Sequence, residues 1–321
     1  MAHNLLGIDI GGTKCAVIYG VDDDGRLEIV DKLRFDTADV DSTIDNILGE
    51  LIKMCSKHGL NAGNTKGIGI SCGGPLDSRR GVVMSPPNLP GWDNIPIVKL
   101  VHEATGIPAA LQNDANACAL AEWKYGAGRG TRNMVFLTFG TGLGAGLVLD
   151  GKLYSGTNDN AGELGHIRLS DFGPVGYGKA GSVEGFASGG GIAQLAASAV
   201  KEKLMMGEKV SWCPDGDLGG ITAKTVAEAA KAGDELAKSI YRTSATYLGK
   251  ALAMVIDMLN PEVIVIGSIF VRAEELIRPF MQAAIERDAL PGAAAVCKVK
   301  PAELGEAIGD IAALSLASTI E

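Results

Sequence analysis

The sequence predicts an α/β protein of two similar lobes with a cleft between them. One pattern carries most of that expectation. Strand, Gly/Thr turn, strand, Asp-Gly turn, strand occurs twice, roughly 130 residues apart. The first copy is strand 5–10, Gly11-Gly12-Thr13, strand 15–19, the turn Asp23-Asp24-Gly25 and strand 27–33. The second is strand 134–138, Gly140-Thr141-Gly142, strand 145–149, the hairpin turn Asp150-Gly151 and strand 152–154. Length agrees, since 321 residues suit about two domains. Composition agrees too: 46% hydrophobic residues can fill sizeable cores, and 44 Gly against 12 Pro favours tight turns over Pro-rich linkers.

The other elements follow from periodicity. Ile44, Ile47, Leu48, Leu51 and Ile52 recur at helical spacing and predict a helix over 42–57, opened by Ser42 and closed by Gly59. A strand at 66–71, a helix at 96–105, a strand at 108–112 and a helix at 115–125 come next. After the second copy the chain reads as helices 187–203, 222–232 and 235–259, strand 263–266, helix 273–287, a strand near 295–299 and a last helix, 306–318. The lobes are expected at 1–112 and 113–305, with the last segment, 306–321, crossing back to the first. The stretch 156–185 is irregular and Gly-rich and reads as site loops.

Charge and cysteines exclude several classes. A net charge of −9 leaves no broad basic face for a nucleic-acid backbone. The six cysteines are scattered without a CxxC pair, which reads as reduced thiols of a cytoplasmic protein. The N-terminus has no signal-peptide pattern, and no uncharged apolar run reaches the ~18 residues of a membrane span.

The two Gly/Thr turns point to phosphate. In Asp9-Ile10-Gly11-Gly12-Thr13-Lys14, glycines let backbone N–H groups approach phosphate oxygens, and Thr13 adds a hydroxyl. Asp9, at a strand end, suits a hydrated Mg²⁺. Gly140-Thr141-Gly142 is the matching turn, and the pair would grip a polyphosphate from both sides. Taken alone, either is equally well an ordinary Gly-rich hairpin. The run Gly140–Ala145 also fits a dinucleotide fingerprint, but that motif needs a following helix, and here a strand follows. Gln112-Asn113-Asp114 sits where a strand meets a helix. Asn113 offers a donor and an acceptor to a sugar hydroxyl, and Asp114 can accept a hydroxyl proton during phosphoryl transfer. Asn-Asp at that junction is also a good helix cap.

Five motifs then stand in order: Asp9 to Lys14, Asn88-Leu89-Pro90-Gly91-Trp92, Asn113-Asp114-Ala115-Asn116, Gly140-Thr141-Gly142-Leu143-Gly144 and Gly162-Glu163-Leu164-Gly165-His166. Together they resemble the ROK family (repressors, open reading frames and kinases), over nearly the whole chain. The resemblance implies an actin-like, ribonuclease-H-like ATPase fold with an interlobe cleft. It also implies ATP with Mg²⁺ and a hexose or N-acetylhexosamine, glucose being the default. It makes Asp114 the catalytic base acting on the 6-hydroxyl. Asn88, Asn113, Glu163, His166 and Glu184 become sugar ligands. Asp9, Gly11, Gly12, Thr13, Lys14, Thr141 and Gly142 surround phosphates and Mg²⁺, and Gly267 lies near the adenosine.

One departure stands out. Many members carry three cysteines after this Gly-His that bind a structural zinc with the His. Here those positions are Gly176, Gly178 and Ser182, in a stretch one residue short, so no structural zinc is expected and His166 is free for sugar. Family repressors place a DNA-binding segment before the kinase-like body, whereas Asp9 here already lies in the first strand. The expected partners are sugar and ATP, with a homodimer usual among relatives. Fructose, mannose, allose and N-acetylmannosamine remain alternatives to glucose. Another enzyme on the same scaffold and a non-catalytic sugar sensor remain rival readings.

Overall fold

The computed structural model describes residues 2–320. In chain order the elements begin with strands β1 (Ala2–Ile10), β2 (Lys14–Asp23) and β3 (Arg26–Asp36). Helix α1 (Val40–His58), β4 (Thr65–Cys72), the short pair β5 (Leu76–Asp77) and β6 (Val82–Val83), and α2 (Ile97–Thr105) follow. Next are β7 (Ala109–Asn113), α3 (Asp114–Tyr125), β8 (Met134–Phe139), β9 (Leu143–Leu149) and β10 (Lys152–Leu153). After a 3₁₀ turn at Leu164–His166 come β11 (Val175–Gly176), β12 (Lys179–Ala180), α4 (Val183–Phe186), α5 (Gly189–Met205), α6 (Ala223–Lys231) and α7 (Glu235–Leu259). The chain ends with β13 (Val263–Ile266), α8 (Ile269–Asp288), α9 (Pro291–Ala294), β14 (Lys298–Pro301) and α10 (Ile308–Ala317).

The duplication seen in sequence is a duplication of topology. One five-stranded sheet runs β3-β2-β1-β4-β7 and the other β10-β9-β8-β13-β14. In the first, β1, β4 and β7 are parallel and β2 and β3 antiparallel. In the second, β13 is parallel to both β8 and β14. Both Asp-Gly hairpin turns form with two left-handed residues, Asp24-Gly25 at φ 52° and 84° and Asp150-Gly151 at 52° and 75°.

Alternation along β1 sorts the first core. Leu6, Ile8 and Ile10 join Ile47, Leu51 and Met54 of α1 on one face. Leu5 joins Ile18, Leu314 and Ala317 on the other. There α10 lies close because the strands present glycine. A Cβ on Gly69 would sit 2.0 Å from the Ala313 carbonyl oxygen, and one on Gly7 2.9 Å from the Ala313 Cβ. The buried Glu122 of α3 pins the returning segment: its carboxylate accepts the N–H groups of Glu303 (3.2 Å) and Leu304 (3.0 Å) as well as Ala127 (2.8 Å).

Several boundaries differ from expectation. Helix α1 starts earlier because Asp39, not Ser42, is its cap, accepting the Ser42 N–H at 3.0 Å. Helix α8 begins at Ile269 and bends at Ala273 (φ −135°, ψ 29°). Pro291 opens a helical turn that runs to Ala294, up to the expected start of the strand, and β14 starts only at Lys298, next to Val263. The chain divides into two compact units. One holds the chain up to Arg132, Gly146–Ala161 and the chain from Glu303 onward; the other holds Asn133–Ala145 and Gly162–Ala302. Helix α3 therefore belongs with the first unit, not with a lobe beginning at 113. The reason is its packing against α10 and the Glu122 anchor. Among the described residues, no helix is long and apolar enough to cross a membrane.

Candidate active site

In the first unit, the three parallel strands end level. Asp9 of β1 is in register with Ser71 of β4 and Gln112 of β7; Ile10, Cys72 and Asn113 form the next row. The carboxyl ends of parallel strands are where open α/β sheets hold ligands. Asp9, Asn113 and Asp114 all reach this edge. Asn113 is the N-cap of α3, accepting the N–H groups of Ala115 (2.8 Å) and Asn116 (3.3 Å). The cap and the ligand readings are thus compatible but unequal. The carbonyl oxygen is committed to the helix, and the NH₂, 3.3 Å from where a Gly74 Cβ would lie, has no partner among the described residues. Asn113 can give a hydroxyl a donor, not the donor-and-acceptor pair expected.

Asn88 lies against the Gly12 turn. A Cβ on Gly12 would come within 2.5 Å of the Asn88 carbonyl oxygen, and one on Gly73 within 3.2 Å of its Oδ1. Leu89 and Trp92 anchor this loop in the core, leaving Asn88 exposed. The turn is internally braced. Gly11 N–H donates to the Lys14 carbonyl (3.1 Å), the Thr37 hydroxyl to the Gly11 carbonyl (2.7 Å) and Thr37 N–H to the Thr13 carbonyl (3.0 Å). The Gly11 amide is therefore spent. The N–H groups of Gly12 and Thr13 have no partner among the described residues, and Thr13 and Lys14 are exposed. The glycines answer to packing on Asn88 and Lys14 first, and only the free amides to a ligand.

Two carboxyl groups stand out electrostatically. Burial, then the neighbouring Asp310 and Asp114, push Asp9 up to about 6 against Lys32 and Arg34. Asp114 is exposed to solvent. Even so, the protein around it weakens its solvation and raises its pKa, opposed by the Ala115 N–H it accepts at 2.7 Å. Among the described residues no group of three or more His, Cys, Asp or Glu could enclose a metal. A lone unpaired carboxylate such as Asp9 fits a cation that keeps its waters and arrives on phosphate.

In the second unit, the turn Gly140-Thr141-Gly142 is held from two sides. Glu184 accepts the Leu143 N–H (3.0 Å), and a Cβ on Gly142 would lie 2.7 Å from the same carboxylate oxygen. The first amides of α5 donate to the turn, Gly189 to the Gly140 carbonyl (2.8 Å) and Gly190 to that of Thr141 (3.1 Å). Gly140 N–H donates to the Gly142 carbonyl, whereas the amides of Thr141 and Gly142 have no partner among the described residues. A cavity of about 770 Å³ opens beside this turn, lined among others by Thr141, Thr222, Lys231, Ser268 and Arg272. Gly267 is buried at the end of β13, its N–H on the Leu137 carbonyl, and leads into that wall. Glu163 precedes the 3₁₀ turn and His166 closes it. Gly165 packs on the Leu143 carbonyl and on Glu184, and Leu164 is buried, so Glu163 and His166 are turned out to solvent.

The loop without cysteines is ordered by hydrogen bonds. Tyr177-Gly178 (φ 41° and 73°) turns the β11–β12 hairpin. The Gln194 amide brackets Val175, accepting its N–H (2.9 Å) and donating to its carbonyl (2.8 Å). Gly181 takes the amides of Leu169 and Ser170 on its carbonyl, and Ser182 caps α4 through Gly185 N–H.

A protein-family model described as ROK family matches residues 5–320. The chain belongs to the ROK family. This ROK chain is 37% identical over 313 residues to a glucokinase of Halalkalibacterium halodurans, covering 95% of this chain and 92% of that one. It superposes on a ROK family glucokinase from Streptomyces griseus, solved in complex with glucose and AMPPNP, with TM-score 0.75 and 30% identity. That match covers 98% of this chain and 99% of the other. It also matches a ROK family transcriptional regulator, described as a homolog of the E. coli MLC protein, with TM-score 0.83 and 26% identity over 99% of this chain and 78% of that one. The fold is that of the actin-like ATPases.

Four parts of the candidate site escaped sequence reasoning. Thr37 braces the first turn from 24 residues beyond Thr13. Gly73-Gly74 passes between Asn88 and Asn113, and Gly189-Gly190 lets α5 touch the second turn. Gln194 holds the hairpin. The glycine pairs were visible as composition, but no local signal named the carbonyls they meet.

Proposed function

We propose that this protein transfers the γ-phosphoryl group of ATP to a hexose hydroxyl, with Asp114 as general base. The protein is a sugar kinase. The observation that carries the finer reading is the row of uncommitted groups at the ends of β1, β4 and β7. It comprises the Asp9 carboxylate, the Asp114 carboxylate oxygen that Ala115 does not use, the Asn113 NH₂ and the amides of Gly12 and Thr13.

Phosphoryl transfer needs positioning and charge neutralisation more than covalent help. Asn88, Asn113, Glu163, His166 and Glu184 take the sugar-binding roles. Glu184 does so with the carboxylate oxygen not used by Leu143. The amides of Gly12, Thr13, Thr141 and Gly142, with the Thr13 hydroxyl and Lys14, receive phosphate oxygens. Gly267 and the cavity beside Thr141 take the nucleoside. Asp9 would hold the Mg²⁺ that arrives with ATP, and that ion would supply charge neutralisation to the phosphates. Asp114 accepts the proton of the attacking hydroxyl, which we take to be the 6-hydroxyl, and the new O–P bond forms as the bond to ADP breaks. A raised pKa suits a base that must bind a proton and release it again.

Glucose is the first acceptor to test, because the 37%-identical relative is a glucokinase. ATP consumption should be followed over glucose, fructose, mannose, allose and N-acetylmannosamine. Turnover on one of them supports the reading. Sugar binding without ATP turnover on any of them supports the sensor reading, which the similarity to the regulator keeps in view.

A further inference from the structure

We propose that Tyr177 is a positioning residue for sugar binding: from the tip of the β11–β12 hairpin its ring holds the His166 imidazole in the orientation that meets the sugar. This rests on the reading of His166 as a sugar contact.

The two rings meet edge to face, with centroids 6.2 Å apart and planes at 71°. The main chain of His166 is fixed on both sides. Its N–H donates to the Glu163 carbonyl (3.1 Å), and its own carbonyl accepts the Lys179 ammonium (2.8 Å) from the same hairpin. Its side chain is not fixed in this way. Neither ring nitrogen has a hydrogen-bond partner among the described residues, and the residue is exposed. Tyr177 supplies the ring contact that remains. An imidazole left to rotate would have to be ordered by the sugar itself, and that ordering would weaken binding.

Tyr177 has no other evident reason to be where it is. It sits at φ 41°, a conformation that Gly or Asn adopts more readily. Its side chain is not core packing, since the residue is 75% exposed, and its hydroxyl has no partner among the described residues. Strained residues persist where the surroundings hold them for a task. The surroundings here are firm: the Gln194 amide grips Val175 at 2.9 and 2.8 Å, and Gly181 N–H donates to the Pro174 carbonyl at 2.9 Å. A braced hairpin can hold a ring still at its tip.

The test is a double-mutant cycle in the full-length protein, with steady-state kinetics for the best hexose and for ATP. Tyr177→Gly should raise KM for sugar about three- to tenfold, the range of an aromatic pair contact. It should leave KM for ATP unchanged and thermal stability unchanged or higher, because the strained φ is relieved. Tyr177→Phe should keep the parent KM for sugar. In a His166→Ala background, Tyr177→Gly should have no further effect. An equal effect in both backgrounds, an equal rise in both KM values, or no rise in KM for sugar overturns the proposal. A parent protein that neither binds nor phosphorylates any hexose overturns instead the reading on which it rests.

Discussion

Asp9 is a carboxylate kept where a carboxylate is poorly solvated, and its cost should be measurable. In the folded protein its pKa is pushed from 3.8 to about 6, first by burial and then by Asp310 and Asp114. For an acid the sign runs against stability. Below about pH 4 the group is protonated folded and unfolded and costs nothing. Between about pH 4 and 6 the unfolded chain ionises first, and stability falls. Asp9→Asn in metal-free, nucleotide-free protein should therefore be more stable than the parent by about 1–3 kcal/mol at pH 8. The gain should fade as pH falls through that window, as urea melts at several pH values would show. Equal stability at pH 8 would remove the charge strain inferred here. At this scale the sequence was partly legible. Asp9, Asn113 and Asp114 were expected at strand ends, and that is where they stand. That the Asn113 carbonyl is consumed by the α3 cap, or that the Gly11 amide is spent on Lys14, depends on side-chain rotamers and turn closure that no spacing encodes.

Elements are positioned by contacts between residues far apart in sequence. Gly69 is a glycine because α10 lies on β4, and Gly69→Ala would drive a methyl to 2.0 Å from the Ala313 carbonyl oxygen. An overpacked contact of this kind should cost about 1–3 kcal/mol, readable as a lower urea midpoint at unchanged m-value. Glu122→Ala would strip an acceptor from the amides of Ala127, Glu303 and Leu304 in a fully buried place. We expect a loss of about 2–4 kcal/mol and faster proteolysis of the segment after Ala302, which Glu122 ties down. Helical periodicity gave α1, α5, α6 and α7 nearly as they stand, because amphipathic spacing is a local record of a core. It missed the start of α8 and shifted β14, where a kink at Ala273 and the turn at Pro291 interrupt the pattern.

At the scale of the whole chain, the repeated strand–turn–strand pattern proved to be one sheet order used twice, β3-β2-β1-β4-β7 and β10-β9-β8-β13-β14. That much was legible because each copy is contiguous in sequence. The grouping of residues 146–161 and of α3 with the first unit was not, because it follows from packing of segments distant in sequence. The loop at 171–185 shows the same limit: the missing cysteines were plain, but Gln194 as its clamp lies on a helix that follows it. The proposed phosphoryl transfer depends on Asp114 as base, so the decisive measurement compares parent and Asp114→Asn in turnover and in sugar affinity. The account predicts that turnover falls about 10²–10⁴-fold or more while the sugar dissociation constant stays within a few-fold. Near-normal turnover in Asp114→Asn would contradict it.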